Sequence, residues 1–137
     1  MEEVKAEVAG KNISVTVNIF HSRFIKKDRA KLEEEIIKFG KTYDKNGNLD
    51  KQSGIWIATS IVEASLDIDF DYLFTELLDL NSLFQRFGRC NRKGAKNVTM
   101  YNCYVYTQLD EGDFILGNKG FIDKTIFELS NKAIHDI

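Results

Sequence analysis

No proline occurs anywhere in the 137 residues, and no repeat or low-complexity tract interrupts them. A proline-rich spacer is therefore excluded, and a single domain is the simplest division of a chain this long. Cysteine is nearly absent, with only Cys90 and Cys103, and histidine is limited to His21 and His135. Residues so few and so scattered build neither a disulfide framework nor a zinc site, so no metal site is expected and a reducing, cytoplasmic setting fits. No apolar run approaches the length of a membrane span, and the N-terminus MEEVKAEVAG lacks the basic-then-apolar order of a secretion signal. The formal charge of −2 gives no overall attraction for nucleic acid or an anionic membrane. Any anion must be held by local clustering.

What the chain does have is apolar residues, 43% of the total with ten phenylalanines, enough for a real core. Glu2 to Val8 reads as the last turns of a helix, stopped at Gly10 and Asn12, and ISVTVNIF as a strand. The run IKKDRAKLEEEIIKFG places Ile25, Leu32, Ile36 and Phe39 near one helical face, with Gly40 as the stop. KTYDKNGNLDKQSG reads as an exposed loop turning at Asn46 and Gly47, and IWIATS as a buried parallel strand. FDYLFTELL predicts a strand running toward a helix over Leu80 to Phe87, although one continuous helix has the same periodicity. NVTMYNCYVYT alternates as a strand, with Val98, Met100, Asn102, Tyr104 and Tyr106 on one side, and GFIDKTIFELSNKAI reads as a final helix capped by Asp123. Alternating strands and helices predict an α/β fold, a mostly parallel sheet with helices on both faces.

Ligands of such sheets meet the carboxyl ends of the strands, which directs attention to two stretches. QRFGRCNRKGAK carries Arg86, Arg89, Arg92, Lys93 and Lys96 without one acid. If the helix continues to Arg92, the three arginines share a face, and their planar forks suit a polyphosphate or a nucleic-acid backbone. A solvated surface, or pairing with the acids of residues 63 to 79, accounts for the same spacing. In ATSIVEASLDID, Thr59 and Ser60 follow a buried strand and can donate to a phosphate, while Glu63, Asp67 and Asp69 follow within a few turns. Without a second carboxylate cluster those acids read as caps or as partners of the basic patch. The lone histidine of HSRF, at a strand end, reads as a hydrogen-bonded structural residue.

Taken in order, HSRFIKKDR, IWIATSIVEASLDIDFD and QRFGRCNRKG resemble the second RecA-like lobe of superfamily-two helicases, and more narrowly the CRISPR-associated helicase-nuclease of type I systems. The resemblance runs from about Val15 to Tyr106. It implies a RecA-like three-layer sandwich and a partial helicase C-terminal domain over residues 1–137, with the N-terminal part of the lobe lying before Met1. It further implies that Thr59, with Ser60, touches the backbone of a tracked single strand, that His21, Ser22 and Arg23 approach the same strand, and that Asp67 meets the nucleotide ribose. Gln85 and Arg86 would then stand at the cleft between lobes, with Arg89 and Arg92 as catalytic arginine fingers on the nucleotide's phosphates. The sequence departs from the complete motor in having no G-x-x-x-x-G-K-[ST] loop, no Walker B acid pair and no nuclease metal constellation. ATP and Mg2+ are thus expected only in the complete two-lobe enzyme, none being bound by this chain alone. The implied partners are a first RecA-like lobe carrying Walker A and B, single-stranded DNA and a CRISPR effector complex, with no membrane. A non-catalytic docking or regulatory module that binds the helicase or a CRISPR complex is the alternative. A third reading, another α/β enzyme acting on a phosphorylated substrate, lacks an identifiable catalytic base.

Overall fold

A computed structural model describes residues 15–50, 52–63, 66–98, 100–108 and 122–136. The expected helix over Glu2 to Val8 and its stop lie outside these residues. The chain divides into two compact units, Met1–Ile68 and Asp69–Ile137.

In the first unit, strand β1 (Thr16–Phe20) pairs in parallel with β2 (Gly54–Ala58), in a register that sets Phe20 beside Ala58. Helix α1 (Lys26–Phe39) makes the crossover that a parallel pair requires. Its residues Ile36 and Phe39 follow the helical repeat predicted for the inner face, and Ile36 is fully buried with Phe20. Ile25 departs from that face. It is the N-cap, 67% exposed, because its extended backbone precedes the first helical turn. The helix ends where the Gly40 N–H donates to the Ile36 carbonyl at 2.8 Å. The Phe39 ring then lies against Trp56, centroids 6.2 Å apart, in the space left by the missing side chain of Gly54. The loop between α1 and β2 is exposed as expected, turning at Gly47 with φ of 80°, a left-handed conformation that glycine adopts without strain. After β2 the chain enters a short 3-10 turn, Ser60–Glu63, anchored by buried Ile61.

The second unit repeats the logic with β3 (Leu73–Glu76) parallel to β4 (Cys103–Tyr106). Between them lies α2 (Leu80–Phe87), opened by the Asp79 carboxylate, which accepts from the Ser82 N–H at 2.9 Å. Leu80, Leu83 and Phe87 lie at helical spacing and pack with Leu77, Val105 and Phe127. Leu83 is 2% exposed, and burial of such a side chain contributes about 1.5–3 kcal/mol. Phe127 comes from α3 (Lys124–His135), whose cap is Asp123 as predicted, accepting from the Ile126 N–H at 3.1 Å. Strand β4 is shorter than the alternation from Asn97 to Thr107 suggests, and Met100 before it is exposed. Helix α2 is also short. It stops at Phe87, after which the bonds tighten to three-residue turns, the Arg89 N–H donating to the Arg86 carbonyl at 2.9 Å and the Cys90 N–H to the Phe87 carbonyl at 3.0 Å, so the periodicity does not extend to Arg92. No helix among the described residues is long and apolar enough to cross a membrane.

Candidate functional site

Parallel pairing brings together, within the first unit, two loops that are 38 residues apart in the chain, from His21 to Thr59. Because Phe20 lies beside Ala58, the strands end level, and the Thr59 N–H donates to the Phe20 carbonyl at 3.2 Å. His21, Ser22 and Arg23 therefore leave the sheet at the same edge as Thr59 and Ser60. Ser22, Arg23, Thr59 and Ser60 are all exposed. His21 is the structural member: its Nδ1 accepts from the Arg23 N–H at 3.2 Å, and its ring stacks on Phe24 at 4.3 Å. The result is an exposed rim with three hydroxyls and one guanidinium, which can meet a phosphodiester chain. Asp67, also in this unit, is exposed.

The basic stretch is in the second unit, and its geometry corrects the picture of three arginines along one helix face. Arg86 closes α2 and turns inward, only 9% exposed. Its guanidinium donates to Thr75 Oγ1 and to the Glu76 carbonyl at 3.1 Å, while its Nε donates to the Ser82 carbonyl at 3.2 Å. It braces the helix end against β3 rather than facing outward with Gln85, which is exposed. Arg89 is half-buried in the turn after Gly88, and Arg92 is exposed on the loop that follows.

That loop is laid against the segment before β3. The Phe70 N–H donates to the Arg89 carbonyl at 2.8 Å, and the Asn91 N–H donates back to the Phe70 carbonyl at 2.7 Å, as in a one-residue parallel ladder. Asp69, 4% exposed, accepts the Arg92 N–H on Oδ1 at 2.8 Å. Lys96 Nζ donates to the Asp69 carbonyl at 2.6 Å and pairs with Asp71 at 2.8 Å. Of the acids noted in the sequence, Asp69 thus joins the basic patch, through a backbone N–H rather than a guanidinium. Cys90 lies beneath, its thiol pushed up to about 12 by burial, by the neighbouring Cys103 and by the charges of Asp69 and Asp71. Among the described residues no three His, Cys, Asp or Glu side chains gather closely enough to hold a metal ion. The donor set of the loop is cationic and suits phosphate oxygens; it offers no ligand set for Mg2+.

Comparison with known proteins decides the family. Residues 1–95 match the family model described as CRISPR-associated nuclease/helicase Cas3, C-terminal. The chain belongs to the Cas3 family. The CRISPR-associated endonuclease/helicase Cas3 of Escherichia coli K12 is 41% identical over 85 residues, covering 62% of this chain and 9% of that protein. A crystal structure of T. fusca Cas3-ATP superposes with a TM-score of 0.62 at 27% identity, over 76% of this chain and 12% of that one. A CRISPR RNA-guided surveillance complex, pre-nicking, contains a chain of like fold, with a TM-score of 0.62 at 19% identity over 98% of this chain and 17% of that one. Among these relatives the chain spans between 9% and 17% of the partner's length. Its α/β fold is that of a RecA-like lobe in Cas3, and the match to the Cas3 C-terminal model reaches through the Arg89 to Arg92 loop.

Proposed function

We propose that this Cas3-family chain is the second motor lobe of an ATP-dependent, single-strand DNA translocase that acts in CRISPR interference in the cytoplasm. The observation that carries the reading is the arginine loop, held by backbone hydrogen bonds on both sides of Arg92 while that side chain stays exposed. Arg89 and Arg92 act as fingers on the phosphates of a nucleotide held by the Walker motifs of a first lobe, and Gln85 contacts the same nucleotide. Arg86 keeps the helix end in place. When bound, ATP with its Mg2+ supplies the phosphoryl transfer; this chain contributes positive charge where negative charge develops. Thr59 and Ser60, with Ser22 and Arg23 beside them, grip the DNA backbone, and lobe closure about the nucleotide advances the strand. A CRISPR effector complex is the partner that delivers the substrate strand.

The strand-binding half is tested by titrating labelled oligothymidine with this chain across salt. We expect weak binding whose logarithm falls linearly with that of salt, with a slope of about −0.7 per phosphate contacted. Arg23→Ala lowers the slope by roughly one contact. Binding indifferent to salt, or unchanged by Arg23→Ala and Thr59→Val together, would remove the strand-gripping rim.

A further inference from the structure

We propose that Asp69 is a positioning residue, which with Lys96 and Asn91 sets the direction in which Arg92 projects; the proposal rests on Arg92 acting on a nucleotide. Three independent constraints meet on one short loop. The carboxylate of Asp69 holds the Arg92 N–H at 2.8 Å, so the backbone atom adjoining the Arg92 Cα is fixed to the segment before β3. The Lys96 ammonium, whose side chain is only 13% exposed, holds the Asp69 carbonyl at 2.6 Å and the Asp71 carboxylate at 2.8 Å, which fixes Asp69 in turn. Asn91, just before Arg92, adopts φ of 44°, a left-handed conformation that asparagine tolerates. Its Oδ1 accepts the Lys96 N–H at 3.1 Å and its carbonyl accepts the Gly94 N–H at 2.9 Å, closing the loop on itself.

The chemistry explains why these residue types serve. A buried carboxylate is costly unless hydrogen-bonded, and Asp69 is 4% exposed. It therefore stays on its donor. The Lys96 ammonium holds the backbone carbonyl of the same residue and pairs with the Asp71 carboxylate, so the main chain that carries Asp69 is pinned as well as its side chain. A finger that must meet developing charge at a fixed distance gains from such a rigid base, because displacement by about 1 Å in a catalytic arrangement costs about 10²-fold in rate. The basic patch is thus divided in labour: Lys96 is spent on internal contacts while Arg92 remains exposed.

Two measurements separate this clasp from the reading it rests on. Amide hydrogen exchange on the chain itself reports the clasp: in Asp69→Ala the Arg92 N–H loses at least about tenfold protection, and in Asp69→Asn, which keeps an acceptor oxygen, most of it is retained. Unchanged protection in Asp69→Ala overturns the clasp. DNA-stimulated ATPase of the chain combined with a first lobe reports the consequence. There Asp69→Ala lowers kcat by about 10²-fold with KM for ATP nearly unchanged, Asp69→Asn recovers most of the rate, and Asp69→Ala adds little on an Arg92→Ala background. A full rate in Asp69→Ala beside a slow Arg92→Ala overturns the positioning role, whereas a full rate in Arg92→Ala overturns the finger reading. Should Asp69→Ala fail to fold, Lys96→Met is put through both assays and is expected to show the same losses.

Discussion

Replacing Arg86 with methionine tests whether this arginine is a brace. Methionine fills most of the aliphatic volume but offers no donor. Thr75 Oγ1, in a residue 8% exposed, loses the guanidinium although its own hydroxyl still reaches the Glu76 carbonyl at 3.3 Å. An acceptor stripped in a buried setting costs about 1–2 kcal/mol. The Glu76 and Ser82 carbonyls are nearer to water or bonded within the helix, and their loss adds about 0.5 kcal/mol each. The sum, about 2–3 kcal/mol, is a large share of the roughly 5–15 kcal/mol of a typical domain. Removing a buried charge releases its desolvation cost, yet this offsets little while the former partners stay in place. With a urea slope of about 1–3 kcal/mol per molar, the midpoint followed by circular dichroism falls by about 0.7–3 M without a change in slope. Adding Thr75→Val, which removes the stranded hydroxyl in a strand position, restores part of the loss. An unmoved midpoint in Arg86→Met, or no recovery in the double variant, would refute the brace.

Other consequences are quicker to check. Gly54→Ala puts a Cβ 2.8 Å from the Phe39 ring and 3.3 Å from the Thr16 carbonyl, so stability followed by Trp56 fluorescence falls by about 1–2 kcal/mol; an unchanged transition would mean that the ring moves freely. Burial raises the Asp79 carboxyl, but hydrogen bonds from Ser82 and Asn81 outweigh it and leave the group below its ordinary 3.8. Its folded form thus binds its proton less readily than the unfolded one. The contribution of the cap is full above 3.8 and is lost as pH falls through a lower value. Asp79→Ala removes about 1 kcal/mol at neutral pH and flattens that acid limb of the stability curve; an identical acid limb would contradict the cap. Cys90, with its thiol near 12, is about 10⁻⁴ thiolate at pH 8, so iodoacetamide labels it far more slowly than an unperturbed thiol in a mass-spectrometric time course. Equal rates would show the thiol to be neither buried nor raised.

The sequence makes some of this architecture readable and conceals the rest for identifiable reasons. Residues with one local job were legible, such as Asp123 as a cap, Gly47 in a turn and the parallel strands around Phe20 and Ala58, whereas the burial expected of IWIATS was not met, since Ile55 and Ile57 are exposed. The family was legible too, because three motifs recur in a fixed order. Helix α2 was read too long as an alternative because it ends where the backbone bonds tighten to three-residue turns at Arg89 and Cys90, a change that leaves no mark in the spacing of arginines. Spacing also says which residues lie near one another, but not whether a guanidinium turns in or out; Arg86 turned in because Thr75 and Glu76 on β3 offer it acceptors. Asp67 and Asp69 look alike in LDIDFD, yet the first is exposed and the second is buried on an N–H 23 residues further on. Asn91 and Gly94 both take a left-handed backbone, which makes this stretch a folded loop rather than a helix.

The account depends most on Arg92 reaching the phosphates of a nucleotide bound by another lobe. Its most direct test is the DNA-stimulated ATPase rate of this chain combined with a first lobe, compared between the parent and Arg92→Ala at saturating ATP. The account predicts a kcat lower by about 10³-fold or more, the scale of a lost arginine finger, with nucleotide binding by the first lobe retained. A variant that hydrolyses ATP at the parent's rate would contradict it.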